Sequence, residues 1–558
     1  MKPPFIAAVL GMLVWAGCVG QAGAANRTVP HPLPSHPGNI FLAGETIAVP
    51  APPPGDSETW RAVDYEGRVV AEGAAKSGPV ELGRLPVGYY EIQRGAGQTT
   101  NRLSLGVLEG LRVPTPLSSP ICIDVAMAWF CSKDKMPDVA SLCALAGVNR
   151  VRDRMSWPEL EPTKGVFAPT NRYDWSAQAQ AAAGLQVLQV GHQSPGWANP
   201  VGKRFPLDLR DTYNFHRTLA QRWRGEIMAF EPWNEADIPD FGGHTGSEMA
   251  SLQKAAYLGL KAGNPKVIAC LNVFAVHRAA TLRDLHENAA WPYFDTFNLH
   301  HYEGFDKYPK LYADFRAVSA GRPLWVTECS VTVKWHGDQQ LQEPTEEDQH
   351  VQSERVTMLY ACALHEGDQA VFYFMLPHYV EHQTQFGLLR PNLTPRPGYL
   401  ALAAAGRLLA DARPLGQIKA TNDSIRAYLF RARPDGQRAD VLVAWSKNEG
   451  ELELPEPPRA CFDHLGRAHA VEGKVLKLGR APLFAVLPTG TQLQLVPPPK
   501  APEKLAGKPA PLVLQACLPA ESIVLGKSAY KIPAGPSASV PIYLYNFGPE
   551  ADGPAGIL

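Results

Sequence analysis

Four things are missing from these 558 residues, and each absence narrows what the chain can be. Beyond residue 26 no stretch reaches the roughly 18 consecutive apolar residues that a membrane-spanning helix needs. There is no basic excess, with 53 Lys and Arg against 54 Asp and Glu and a net charge of −1. Nucleic acid and anionic membrane surfaces both ask for clustered positive charge, so neither is favoured as a partner. No CxxC pair occurs and the cysteine spacings are irregular, which leaves metal binding by cysteine with little support. Cys270, Cys329 and Cys362 fall in apolar runs, where a cysteine behaves as a small buried hydrophobe. Cys122, Cys131 and Cys143 lie closer together and leave room for one disulfide. Finally, no Gly-rich phosphate loop follows the first strand of the central region, as an open doubly wound nucleotide fold would require. No cofactor is called for.

What is present reads as a folded, multidomain chain. Hydrophobic content of 45% and charge of 19% are those of globular proteins, and the length exceeds what one core supports. Residues 1–25 (MKPPFIAAVLGMLVWAGCVGQAGAA) read as a signal peptide: one basic residue, an apolar run from Phe5 to about Ala16, and small residues Ala22-Gly23-Ala24. The expected destination is periplasmic or extracellular. Lipid attachment at Cys18 is the weaker alternative, because Trp15 is a poor residue three places before it.

A Pro/His-rich linker covers 26–38. Short alternating runs separated by Gly and Pro then predict a β-sandwich over 39–115. From Ile121 the rhythm changes to strand, helix, strand, helix, repeated eight times up to residue 411. That is the pattern of a (β/α)8 barrel, predicted for 120–411. Alternating runs return over 412–497 as a second β-sandwich. A linker at 498–511 leads to 512–558, which reads as the opening strands of a further β domain with too few residues to complete one. The predicted fold class is therefore α/β, a TIM barrel between N-terminal and C-terminal β-sandwiches.

Barrel enzymes carry their reactive groups at the C-terminal ends of the strands. MAFEPWNEAD (228–237) is a strand run that stops at Trp233-Asn234-Glu235, and PLWVTECS (323–330) ends in Thr327-Glu328. A glutamate closing a mostly apolar strand is uncommon, because burying an unpaired carboxylate is costly. Two of them, in the fourth and seventh repeats, would face each other across the barrel mouth. Other strand ends supply Arg152 and Arg154, His192, and His300-His301-Tyr302; the loop after strand eight carries His378 and His382.

In these positions the chain resembles retaining glycoside hydrolases of clan A: Asn-Glu closing strand four, His/Tyr closing strand six and Glu closing strand seven. It is most similar to family 39, with families 5 and 42 as neighbours, over about residues 121–410. The resemblance implies a carbohydrate substrate, Glu235 as general acid then base, and Glu328 as nucleophile. A close anionic Glu328 is expected to keep a proton on Glu235 by like-charge repulsion. Asn234 is expected to donate to a sugar hydroxyl, Tyr302 to hold Glu328, and Arg152 to keep Glu328 ionised, with Arg154 in a structural ion pair. His192, His301 and Trp197 are further expected substrate contacts, Trp157 and Trp335 weaker ones. Two departures stand out: Ala236 replaces the Pro usual after the strand-four Glu, and Phe372-Tyr373-Phe374 replaces a Trp at the end of strand eight.

Two other readings compete. A barrel that binds carbohydrate or serves as a scaffold without turnover gains nothing from paired carboxyls. A metal-dependent barrel hydrolase needs an HxH at the end of strand one, where Ala126-Met127-Ala128-Trp129 stands, so no metal is expected.

Overall fold

The computed structural model describes residues 27–548 apart from 54–58, 75–77, 96–100, 334–342, 420–421, 533, 536 and 538. The expected signal peptide, Cys18 and Trp335 lie outside the described residues.

The central region is a barrel of eight parallel strands: β1 Ile121–Asp124, β2 Arg150–Ser156, β3 Gln186–His192, β4 Ile227–Glu231, β5 Ile268–Ala269, β6 Phe297–His301, β7 Leu324–Cys329 and β8 Asp368–Tyr373. They hydrogen-bond in the order β5-β4-β3-β2-β1-β8-β7-β6. A parallel bridge between Cys270 and Thr296 closes β5 onto β6. The surrounding helices are α1 Met136–Leu145, α2 Arg172–Ala182, α3 Leu209–Arg222, α4 Gly246–Gly263, α5 Ala279–Glu287, α6 Tyr308–Val318, α7 Glu346–Glu366 and α8 Pro397–Leu408. Capping boxes start two of them, Asn171/Asp174 for α2 and Thr245/Glu248 for α4, and satisfy backbone N–H groups the helix leaves open.

Strand alternation sorts the side chains. Ile121, Ile123, Val151 and Val187 pack outward under the helices, in the main core. Cys122, Leu188, Ala229, Cys270, Trp325 and Phe372 fill the barrel floor. Arg150 lies across Trp325, its Cζ 5.2 Å from the ring centroid, and donates to the carbonyls of Ser119 and Leu117. The interior is thus packed below the mouth.

The flanking regions are sheets packed on sheets. Between residues 40 and 108 a five-stranded sheet and a two-stranded one enclose Phe41, Ile47, Tyr90, Ile92 and Leu105. Between 413 and 496 a six-stranded sheet and a two-stranded one enclose Ile425, Leu442, Leu452 and Leu476. The chain then turns back along the barrel: Leu505 N–H donates to Ala320 O (3.0 Å), and Ala510 N–H to the Tyr293 hydroxyl (2.9 Å). Leu512–Ala516 pairs antiparallel with Ile542–Asn546, and Val513 and Tyr545 pack on Leu209 of α3 and Ala255 of α4. The tail, expected as the start of a separate domain, is laid against the barrel wall instead, because its apolar residues find α3 and α4 there. The eight cysteines among the described residues are all unpaired, so the bridge allowed for Cys122, Cys131 and Cys143 is not formed.

Candidate active site

At the C-terminal end of the barrel a cavity of about 580 Å³ is lined by Glu235, Glu328, Asn234, Arg154, His192 and Tyr302, among others. Its floor is a buried charge network that begins on β2. Arg152 and Arg154 share the inward face of that strand, and Arg152 is completely buried. Arg152 donates through Nε to Glu231 (2.7 Å), through Nη1 to Asp124 (3.0 Å) and to Glu328, and through Nη2 to Asn234 Oδ1 (2.8 Å). Arg154 donates to Asp124 and, at 2.8 Å, to the same Glu328 oxygen, Oε1. Glu231 also accepts from Asn298 Nδ2 (2.7 Å) and Thr327 Oγ1 (2.6 Å). Asp153, from the opposite face of β2, accepts from Ala128 N–H (3.0 Å) and Gln180 (3.0 Å) and fixes the strand against the first loop and α2. Asp124, Glu231 and Glu328 each have a guanidinium partner, whose attraction in a low dielectric opposes the desolvation cost of burial.

Glu328 is held from both sides. Its Oε1 takes the two guanidinium groups and its Oε2 accepts from the Tyr302 hydroxyl at 2.8 Å. Burial alone would push this carboxyl up. The charges of His300, Arg152 and Arg154, with the Tyr302 hydrogen bond, outweigh burial and hold it well below the usual carboxylate range. Burial and the nearby Glu328 and Glu235 push the Tyr302 phenol well up, so it stays a donor.

Glu235 stands four residues past the end of β4, with φ 44°, in the left-handed region. Asn234 N–H donates to Gly191 O (3.1 Å) and Ala236 N–H to Val273 O (3.3 Å), which pins the turn between β3 and β5. His300 Nδ1 lies 2.8 Å from Glu235 Oε1 and 3.7 Å from Glu328 Oε2. One atom from each of Glu235, His300 and Glu328 falls within 4.8 Å of the others. A dication there would sit beside the two guanidinium groups on Glu328, a costly arrangement.

Most of the residues named from the sequence meet here. Glu235, Glu328, Asn234, His192 and Tyr302 line the cavity, and Arg152 lies beneath them. With its Oδ1 occupied by Arg152, Asn234 has its NH2 left for the cavity. His192 is buried beside Trp129, ring centroids 4.8 Å apart; burial, Arg154 and Arg152 lower its pKa well below the usual value, so it is neutral.

Three expectations are corrected. His301 does not reach the cavity: its Nε2 lies 3.0 Å from the Tyr312 hydroxyl of α6, because strand alternation turns it outward and brings His300 in. Trp197 donates its indole N–H to Glu161 O (3.0 Å) and meets Trp157 edge-on, while Trp157 stacks on Phe215; both are packing residues. Arg154 is more than a structural ion pair, since it touches Glu328 and lines the cavity. Asp124 and Glu231 were missed altogether, though their signal is in the sequence: carboxyls at inward positions of apolar strands beside an inward arginine. Lys203, Asp240, Phe241 and Glu381 come from the connections that follow the barrel strands and carry no such signal. At the end of β8, Phe374 stands in the wall with a cis peptide bond to Met375.

No protein-family model matches the sequence, and no curated protein matches it. Solved structures do. A family 39 glycoside hydrolase from the gut symbiont Bacteroides cellulosilyticus WH2 superposes with a TM-score of 0.61 at 17% identity, covering 83% of this chain and 100% of that one. A glycoside hydrolase family 30 subfamily 8 xylanase, Xyn30A, from Clostridium acetobutylicum gives 0.51 at 12% identity, covering 67% and 97%. The resemblance read from the strand ends thus recurs in three dimensions: this chain has the barrel fold of family 39 and family 30 glycoside hydrolases.

Proposed function

We propose that this chain is an exported retaining glycoside hydrolase that cleaves O-glycosidic bonds of poly- or oligosaccharides by double displacement. The observation that carries the reading is the approach of Glu235 and Glu328 within 4.8 Å at the barrel mouth. Carboxyls about 5–5.5 Å apart leave no room for a water between sugar and base, so one must attack the anomeric carbon itself. Glu328, ionised by its two arginines, is the nucleophile. Glu235, beside His300, protonates the leaving oxygen and then takes a proton from the water that releases the sugar. The Asn234 NH2 is free to bind a sugar hydroxyl, and Tyr302 keeps Glu328 oriented. The signal-like residues 1–25 support export, which sequencing the N-terminus of the secreted protein would test.

A panel of activated aryl glycosides tests the chemistry. Glu328→Ala should lose activity by about 10³-fold or more. Added azide should restore turnover and give a glycosyl azide of inverted configuration. Glu235→Ala with azide should give the retained anomer. Absence of turnover by the wild-type chain across the panel would favour the alternative, a barrel that binds carbohydrate without cleaving it.

A further inference from the structure

We propose that the tail segment from Leu525 to Tyr530 is a positioning element for the loop that carries Glu235; the proposal rests on the acid/base reading of that residue. The loop runs from Glu235 to Thr245, the N-cap of α4, and also brings Asp240 and Phe241 into the cavity wall. It is closed close to Glu235 by the His244 N–H donating to Ala236 O at 2.7 Å. Arg204 clamps it from one side, donating to Gly242 O (2.9 Å) and Gly243 O (3.0 Å).

The tail holds the other side. The Leu525 side chain lies over Gly243, where a Cβ would stand 3.3 Å from its Cδ1. Ser528 Oγ accepts from Gly246 N–H (2.8 Å) and donates to Asp284 Oδ2 (2.7 Å), which also accepts from Ser247 N–H (2.8 Å). The Tyr530 hydroxyl lies 3.0 Å from Thr245 Oγ1. Ser528 takes a left-handed conformation, φ 48°, to make its pair of bonds. Such a backbone persists in a non-glycine residue only where its surroundings hold it. The chain of contact is short: Tyr530 to Thr245, its neighbour His244 to Ala236, and Ala236 next to Glu235. A shift of the α4 start is thereby passed to the carboxyl that must meet the leaving oxygen, and small misplacements of a reacting group are costly.

Acid assistance matters for a poor leaving group and little for a good one. The test therefore compares phenyl and 2,4-dinitrophenyl glycosides of whichever sugar the full-length chain cleaves. In the Ser528→Ala/Tyr530→Phe double variant, kcat/KM should fall about fivefold or more on the phenyl substrate and less than about twofold on the dinitrophenyl one. Equal losses on both substrates, or no loss on either, would overturn the proposal, since a purely structural strap has no reason to discriminate leaving groups. Should the double variant fail to fold, Tyr530→Phe alone, which removes one hydroxyl, takes its place. Glu235→Gln is run alongside: if it shows no leaving-group selectivity the acid assignment fails, whereas selectivity there without it in the tail variants sinks only the strap.

Discussion

Arg152 and Arg154 are two residues apart and reach the same carboxylate, yet their removal should read out differently. Arg152 is fully buried and shared by Asp124, Glu231, Glu328 and Asn234. Arg152→Leu leaves the buried Glu231 without a cationic partner and should cost about 3–5 kcal/mol, seen as a loss of soluble protein or a large fall in denaturation midpoint. Arg154 lines the cavity, so Arg154→Leu should fold and act on chemistry. Glu328 has its folded pKa depressed, so its contribution to stability is present above the unfolded value of about 4.3 and lost as pH falls through the lower folded value. Removing Arg154 raises the folded value, and the acidic limb of the kcat/KM profile should move to higher pH. Trp197→Phe supplies the contrast: it deletes one hydrogen bond to Glu161 and should cost about 1 kcal/mol while KM stays unchanged.

At the scale of elements, irregularities decide where the reactive groups point. On β7, Trp325 and Thr327 face inward by strict alternation, which would turn Glu328 away. The pairing with β6 runs Leu299 with Val326 and then His300 with Glu328, so the strand carries an extra residue and Glu328 is swung into the mouth. Past β4 the left-handed backbone at Glu235 performs the same turn without a bulge. One helix end bears no such functional load. Ala289 follows α5 with φ 50°, the position where a glycine usually ends a helix. Ala289→Gly should raise stability by about 1 kcal/mol, measured by chemical denaturation, with activity unaltered.

The whole molecule carries a pH dependence of its own. Burial lowers the pKa of His216, His244 and His464 to about 4 and that of His301 to about 3. Between these values and the ordinary 6.5 the unfolded chain binds protons that the folded chain refuses, so stability falls as pH falls. The melting temperature should drop between pH 7 and pH 5, by the equivalent of roughly 2 kcal/mol per buried histidine. His301→Phe should flatten that slope.

The sequence by itself determined the barrel, its flanking sheets, and a glutamate just past strand four and another on strand seven, because hydrophobic period and strand-end chemistry are local properties of the chain. Only the tertiary structure decided which of two adjacent histidines, His300 or His301, faces the site, and that both arginines reach Glu328. It also decided that Trp197 packs, and that the paired strands Leu512–Ala516 and Ile542–Asn546 brace the barrel. Each of these depends on the register of a strand against its neighbour, or on which distant surface an apolar segment meets. A one-residue change in register reverses the face a side chain presents, and no local pattern in the chain records that choice.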